Sequence, residues 1–305
     1  MKTAKAEKGS RKRSTRPRAF RSDSILGYLT IAPAIVVLVG LFIYPLFYQL
    51  YTSLTNRSVG QGGEFIGLAN YVQLFNDPAF LTASFNTVVY VTLVQLGKFA
   101  LGLAIAVLLQ QPLVLRKLWR SLTLLPLAMP GFVVYMIWRL IYDPDVGALN
   151  VQLSQLGILS QPIAFLADGN WAMPAVILAS IWQGFPFWTI MFLAALQAIP
   201  KERYEAAAID GANSWQKFRN ISLPGIRPVV LIVFLISTIT TLNAFEAVWL
   251  TTGGGPANST LIIPIYAYKG LITFQIGQAA AAALTMVPVI IVFVYFILGR
   301  LTKGK

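Results

Sequence analysis

The sequence predicts an all-α fold: a polytopic membrane bundle of six transmembrane helices with both termini in the cytoplasm. Two observations carry the fold class. Apolar residues fill 56% of the 305 positions and charged residues only 11%, less than half of the roughly 25% that a water-facing globule carries. Apolar runs of about 20 residues, the length that crosses a hydrocarbon core of about 30 Å, recur six times, and the mean hydropathy is +0.67. A third observation sets the orientation. With the N-terminus inside, 20 of the 24 Lys and Arg residues fall in cytoplasmic segments. Only Arg57 and Lys269 fall in outer loops, a bias that follows the positive-inside rule.

The elements follow in order. Residues 1–24 form a basic cytoplasmic tail with nine Lys and Arg before Ser22. They show no apolar periodicity, so a disordered segment beside a membrane is expected in preference to a nucleic-acid-binding face. Residues 25–85 hold the first span, 25–48, and the first outer loop. That run exceeds the 7–15 residues of a signal h-region and no small-x-small site closes it, so it is expected as an uncleaved anchor. Residues 86–300 form a five-helix transmembrane core with spans over 86–109, 122–141, 171–196, 228–250 and 277–298, and it contains the cytoplasmic loop 199–224. Residues 301–305 are a short cytoplasmic tail. Prolines 33, 45, 126, 130, 174, 186 and 288 lie inside the spans. They imply kinks whose freed carbonyls need neighbours or water, either as ordinary packing irregularity or along a pathway.

The longest cytoplasmic loop after the tail, 199–224, has the pattern of two short helices. Pro200 suits a first helical position, Glu202 and Glu205 suit the early turns, and Gly211 is a left-handed stop. Asn213 with Gln216 has the spacing of a capping box for the second helix, which Pro224 is expected to end. From patterning alone the loop is either a connector or a docking knuckle.

A resemblance favours the second. Glu205-Ala206-Ala207, Asp210-Gly211-Ala212, Phe218, Ile221 and Leu223-Pro224 resemble the EAA motif of ABC import permeases. Further segments resemble the carbohydrate-import branch of that family: Ala32-Pro33, Tyr44-Pro45, Phe65-Ile66-Gly67-Leu68, Asn70-Tyr71, Asn86-Thr87, Ile181-Trp182-Gln183, Pro186-Phe187, and Leu250 through Pro256 with Thr260. The resemblance implies an ATP-driven importer of a sugar, oligosaccharide or polyol, in a bacterial or archaeal cytoplasmic (inner) membrane. It also implies the partners: a second related permease, two copies of a cytoplasmic ATPase that docks on this loop, and an extracytoplasmic solute-binding protein. Heterodimer and homodimer both stay open.

The chain's own chemistry agrees. It contains no cysteine and no histidine, which excludes thiol nucleophiles, Ser-His-Asp catalysis and His-ligated metal. No Gly-x-x-x-x-Gly-Lys-Ser/Thr loop occurs, so ATP and magnesium belong on a partner chain and no enzyme activity or cofactor is expected here. Gly253-Gly254-Gly255 is expected as a flexible outer turn. A rival class, an ion-coupled secondary transporter, would want several intramembrane carboxylates or histidines.

Ionisable groups inside spans mark a pathway or a pair. Lys98 either lines an aqueous cavity or bridges to the partner permease. Asn243, Glu246 and Trp249 recur at i, i+3 and i+6, a stripe offering planar polar groups for hydroxyls and a ring for a sugar's C–H face. Alternatively, Glu246 pairs with Arg139.

Overall fold

The computed structural model describes residues 20–302. Most of the basic tail, up to residue 19, lies outside the described residues, as do residues 303–305. The described chain is helical, with two isolated β-bridges and no strand among the described residues. Five helices are long and apolar enough to cross a membrane, or six if one bent pair counts as a span.

The described residues fall into two compact units, one up to Gln49 and one from Leu50. Helix α1, Gly27–Ser53, supplies the first membrane-length segment. It contains a π-helical turn, Val39–Ile43, closed by the Tyr44 N–H donating to the Val39 carbonyl. The extra residue in that turn sits just before Pro45, whose missing N–H cannot serve an i→i−4 bond.

In the second unit, α2 is Ala69–Asn76 and α3 is Pro78–Gln110. The Asp77 side chain caps α3 and Pro78 occupies its first turn, so this span starts eight residues before the expected position. Helix α7, Gly169–Gln197, runs against α3, and α9, Ser214–Leu242, packs on both. Their apolar core includes Ala106, Trp188, Phe192, Leu196, Ile226 and Val233. A buried polar network ties the three helices. Gln95 Nε2 donates to Thr238 Oγ1 (2.6 Å), Ser237 Oγ donates to Gln95 Oε1 (2.8 Å), and Trp188 Nε1 donates to Ser237 Oγ (3.0 Å). With lipid outside, such bonds and close packing hold the bundle in place of a hydrophobic drive.

The third and fifth expected spans differ. The third is not one straight helix but α4, Arg116–Ala128, and α5, Gly131–Ile141, bent by 95°. Met129 precedes Pro130, and the proline ring forces that residue out of the helical region to φ −83°, ψ 136°. The fifth span ends at Leu242 rather than residue 250. Thr240 Oγ1 and Asn243 Nδ2 donate back to the carbonyls of Ser237 and Ile239, a local competition that ends the helix. A separate helix, α10, covers Phe245–Thr251. After α11, Ile263–Ile272, the sixth span is one membrane-length segment, Ile276–Thr302, with a single turn residue, Thr285, between α12, Ile276–Leu284, and α13, Met286–Thr302. Helix α6, Ala148–Gln155, lies between α5 and α7 in sequence.

The glycine turn expected to be flexible is pinned. Thr252 and Thr260 share a hydroxyl bond of 2.7 Å, and Thr260 Oγ1 donates to the Gly255 carbonyl (2.8 Å). Asn86 Nδ2 donates to the carbonyls of Asn258 and Leu261, both at 3.0 Å, and Thr87 Oγ1 accepts from the Ile263 N–H (3.0 Å). Asn86-Thr87 thus fastens the 258–263 segment to α3, and Thr260 holds the turn to itself.

Candidate functional site

Two features stand out: a turn at one end of α9 and a polar cavity at the other. The turn begins with α8, Lys201–Ile209, whose cap is Pro200, one position before the expected first helical residue. Gly211 stands at φ +78° with no neighbour within 4 Å of where a Cβ would lie, the left-handed stop that the sequence implied. Asn213 and Gln216 form both bonds of the capping box, at 2.9 and 2.8 Å. Pro224 does not end the second helix. A π-helical turn, Phe218–Ser222, absorbs its missing N–H through a bond from Leu223 N–H to the Phe218 carbonyl, as before Pro45. The chain therefore continues from Ser214 into α9 without a break. Tyr204 of α8 is hydrogen-bonded to Ser222 (3.0 Å), and the Trp215 ring packs tilted against Phe218, centroids 5.5 Å apart. Ile209 and Trp215 are 87% and 65% exposed, so the turn presents apolar side chains outward. Glu205, Ala206 and Asp210 share its exposed surface, while Ala207, Ala212 and Ile221 are half-buried.

The cavity encloses about 320 Å³ between α3, α5, α7 and α9–α10, and its lining includes Lys98, Glu246 and Asn243. Tyr90, Lys98 and Ser180 are buried in its walls, whereas Thr240, Asn243 and Glu246 are exposed at its open side. Lys98 Nζ donates to Thr241 Oγ1 (3.1 Å), and Tyr90 and Ser180 share a hydroxyl bond of 2.8 Å. Two glycines make room for the charged groups. A Cβ on Gly184 would stand 2.8 Å from Lys98 Nζ, and one on Gly131 would stand 2.6 Å from Glu246 Oε2. A larger cleft of about 590 Å³ lies against α3, α9 and α13, but its walls are almost wholly apolar and hold no charged residue.

The structure therefore joins Lys98, Asn243 and Glu246, and separates Trp249 from them. The stripe assumed a continuous helix, and the break at Asn243–Ala244 turns Trp249 into a cluster with Phe245 and Tyr268, centroids 5.8 and 4.8 Å away. Arg139 does not line the cavity, and no Arg139–Glu246 pair forms among the described residues. Tyr90, Tyr135, Ser180, Gln183, Thr240 and Thr241 supply the rest of its polar lining, and the sequence does not single them out. Gln183 was visible only within a signature, and the hydroxyls sit in otherwise apolar runs. The described residues hold no cluster of three or more metal-ligating His, Cys, Asp or Glu side chains.

A helical membrane bundle with a polar cavity on one end of a long helix and a capped surface turn on the other has the organisation of a transport subunit. The family model described as binding-protein-dependent transport system inner membrane component matches residues 98–303, and the chain belongs to that family of ABC transporter permeases, integral to the inner membrane. It is 34% identical to the trehalose/maltose transport system permease protein MalF of Thermococcus litoralis, over 92% of this chain and 96% of that one. It is also 34% identical to the sulfoquinovosyl glycerol transport system permease protein SmoG of Agrobacterium fabrum, over 87% and 86%. A permease chain in the crystal structure of a bacterial alginate ABC transporter, in complex with alginate pentasaccharide-bound periplasmic protein, matches with a TM-score of 0.78. It is 25% identical and covers 90% of this chain and 93% of that one.

Proposed function

We propose that this permease carries a sugar or oligosaccharide inward, with the turn at 201–213 as the place where an ATPase docks and Lys98, Asn243 and Glu246 lining the solute pathway. One observation carries the reading: α9 joins the two sites as a single helix. Its 29 residues span about 43 Å at 1.5 Å per residue. A displacement at the capped turn therefore reaches Thr240, Thr241 and Asn243 as a rigid-body movement, the hinge-or-shear kind that packed helices support. The Tyr204–Ser222 bond fastens α8 to the start of that lever. Outward-facing Ile209 and Trp215 supply apolar anchors for a partner, and Glu205 and Asp210 add charge at the rim.

The positive-inside count supports placing this turn and both termini in the cytoplasm, with ATP and magnesium on the docked ATPase. Relatives named for trehalose and maltose, for sulfoquinovosyl glycerol and for alginate support a carbohydrate cargo. The alginate complex supports a solute-binding protein on the outer side. In the pathway, Glu246, Asn243 and Gln183 offer hydrogen bonds to hydroxyls, and Tyr90 and Tyr135 offer rings. An ion-coupled mechanism is not favoured, because Glu246 is the single carboxylate lining the cavity. Purification from cells expressing the neighbouring transport components tests the assignment. A co-purifying ATPase and ATP-dependent uptake of maltose, trehalose or alginate oligosaccharides support it; uptake by this chain alone on an ion gradient contradicts it.

A further inference from the structure

The ends of two membrane-length helices meet the start of a shorter one away from the cavity: α3 finishes at Gln110, α7 at Gln197, and α4 starts at Arg116. Arg116 Nε donates to the Leu109 carbonyl (2.8 Å) and so caps the last turn of α3, whose carbonyls have no intrahelical partner. One turn further on the same face, Arg120 reaches the side chain of Gln197. With its amide oxygen toward them, Gln197 accepts from Arg120 Nη2 at 2.7 Å and from Arg116 Nη2 at 3.3 Å. Two like charges four residues apart repel, and a neutral amide offsets neither. No acidic residue occurs between positions 111 and 142, while Lys117 adds a third cation to the same turn.

Arg120 Nε is buried with no hydrogen-bond partner, and beside it opens a slot of about 240 Å³ between α4 and α7. Leu109, Leu124, Ile190, Leu193 and Ala194 make its walls mainly apolar. Trp119 is 51% exposed on the same turn of α4, and tryptophan favours the level of the lipid headgroups. An unpaired guanidinium edge at the end of an apolar slot, at the depth where membrane helices stop, matches one ligand chemistry: a phosphate attached to an acyl chain. Nε and Nη of one guanidinium form a planar fork for two phosphate oxygens, and basic pockets between membrane helices take anionic headgroups.

We propose that the α4–α7 slot is a binding site for an anionic phospholipid, with the phosphate on Arg120 and Arg116 and an acyl chain along Leu124, Ile190 and Leu193. The test uses the assembled transporter in nanodiscs of phosphatidylcholine alone or mixed equally with phosphatidylglycerol, with retained lipid read by native mass spectrometry after detergent extraction. Wild type should retain phosphatidylglycerol in preference to phosphatidylcholine, and Arg120→Gln should reduce that preference about tenfold, the worth of one charge-assisted bond. Thr123→Phe, which fills the slot but leaves both guanidiniums, should reduce it as well. Equal retention of both lipids, or an unchanged preference in both variants, overturns the site. The chain's lack of cysteine gives a second readout, maleimide labelling of Thr123→Cys. Phosphatidylglycerol should block labelling and lipid-free complex should react. Protection by glycerol 3-phosphate, which lacks chains, would show a soluble-anion site, and protection without lipid would show a protein segment in the slot; either contradicts the proposal.

Discussion

Gly184→Ala is the sharpest perturbation of the cavity because it adds one methyl group opposite a charge. The new Cβ would lie 2.8 Å from Lys98 Nζ and 3.0 Å from Cδ, and closer still to Cε, where non-bonded contacts settle at about 3.5–4.0 Å. The atoms in its way are the far end of a flexible side chain, so the helices stay and the ammonium retreats by roughly 1 Å. Its bond to Thr241, now 3.1 Å, then passes beyond hydrogen-bonding reach. Lys98 is 8% exposed, so water replaces that bond poorly. A hydrogen bond to a charged group is worth about 1.5–3 kcal/mol, or about 10- to 100-fold at 1.4 kcal/mol per decade. In proteoliposomes, Gly184→Ala should therefore displace the ammonium from its place in the cavity wall and weaken uptake, while membrane insertion and ATPase attachment stay normal. Lys98→Ala removes the obstructed side chain, so adding Gly184→Ala to it should change little, the non-additivity of groups in contact. Wild-type uptake by Gly184→Ala, or a full second loss in the double variant, would refute the argument that this glycine acts through Lys98.

The other predictions concern the rim, the turn and the topology. Glu246→Gln keeps the shape of the side chain, so it should weaken uptake while folded yield and basal ATP hydrolysis hold; unchanged uptake removes Glu246 from the pathway. Gly211→Val forces a β-branched residue to φ +78° where no neighbour intrudes, so its cost is backbone strain of about 1–3 kcal/mol. Gly211→Asn, tolerated in that region, should retain coupling that valine loses, as read by the ratio of uptake to ATP hydrolysis; equal behaviour of the two contradicts the turn's role. Tyr204→Phe deletes the bond to Ser222 and should lower that same ratio without detaching the ATPase, measured on the purified complex. Reporters at Gln216 and Lys305 should read cytoplasmic and one near Gly62 external, and an external signal at Gln216 reverses the orientation.

The helical class and the number of apolar runs were legible because lipid imposes length and composition on every span. The bends were not. Pro126, Pro174 and Pro186 all sit within helices, and nothing in the one-dimensional pattern separates them from Pro130, where the chain turns through 95°. The turn at 211–216 was legible because a left-handed glycine and a capping box are local devices. Pro224 was misjudged because the π-helical turn that accommodates it leaves no residue signature. Lys98, Asn243 and Glu246 could be found because polar side chains are costly in apolar runs. Trp249 was misplaced by assuming continuity through Asn243. The hydroxyl lining was hidden for another reason: Ser180 Oγ also donates to the Val176 carbonyl, four residues back, as membrane hydroxyls do anywhere. Only the packing of α3 against α7 shows that Ser180 also meets Tyr90.

The most direct test of the lever through α9 is spectroscopic. In the assembled transporter in nanodiscs, spin labels on Gln216→Cys and Asn243→Cys mark its two ends, with a fixed label on the partner permease as reference. Both labels should shift together between the nucleotide-free and ATP-bound states, while the distance between them stays constant. Movement at position 216 with none at 243, or a changing distance between the two, would contradict the account, because the docking turn would then have no rigid path to the cavity.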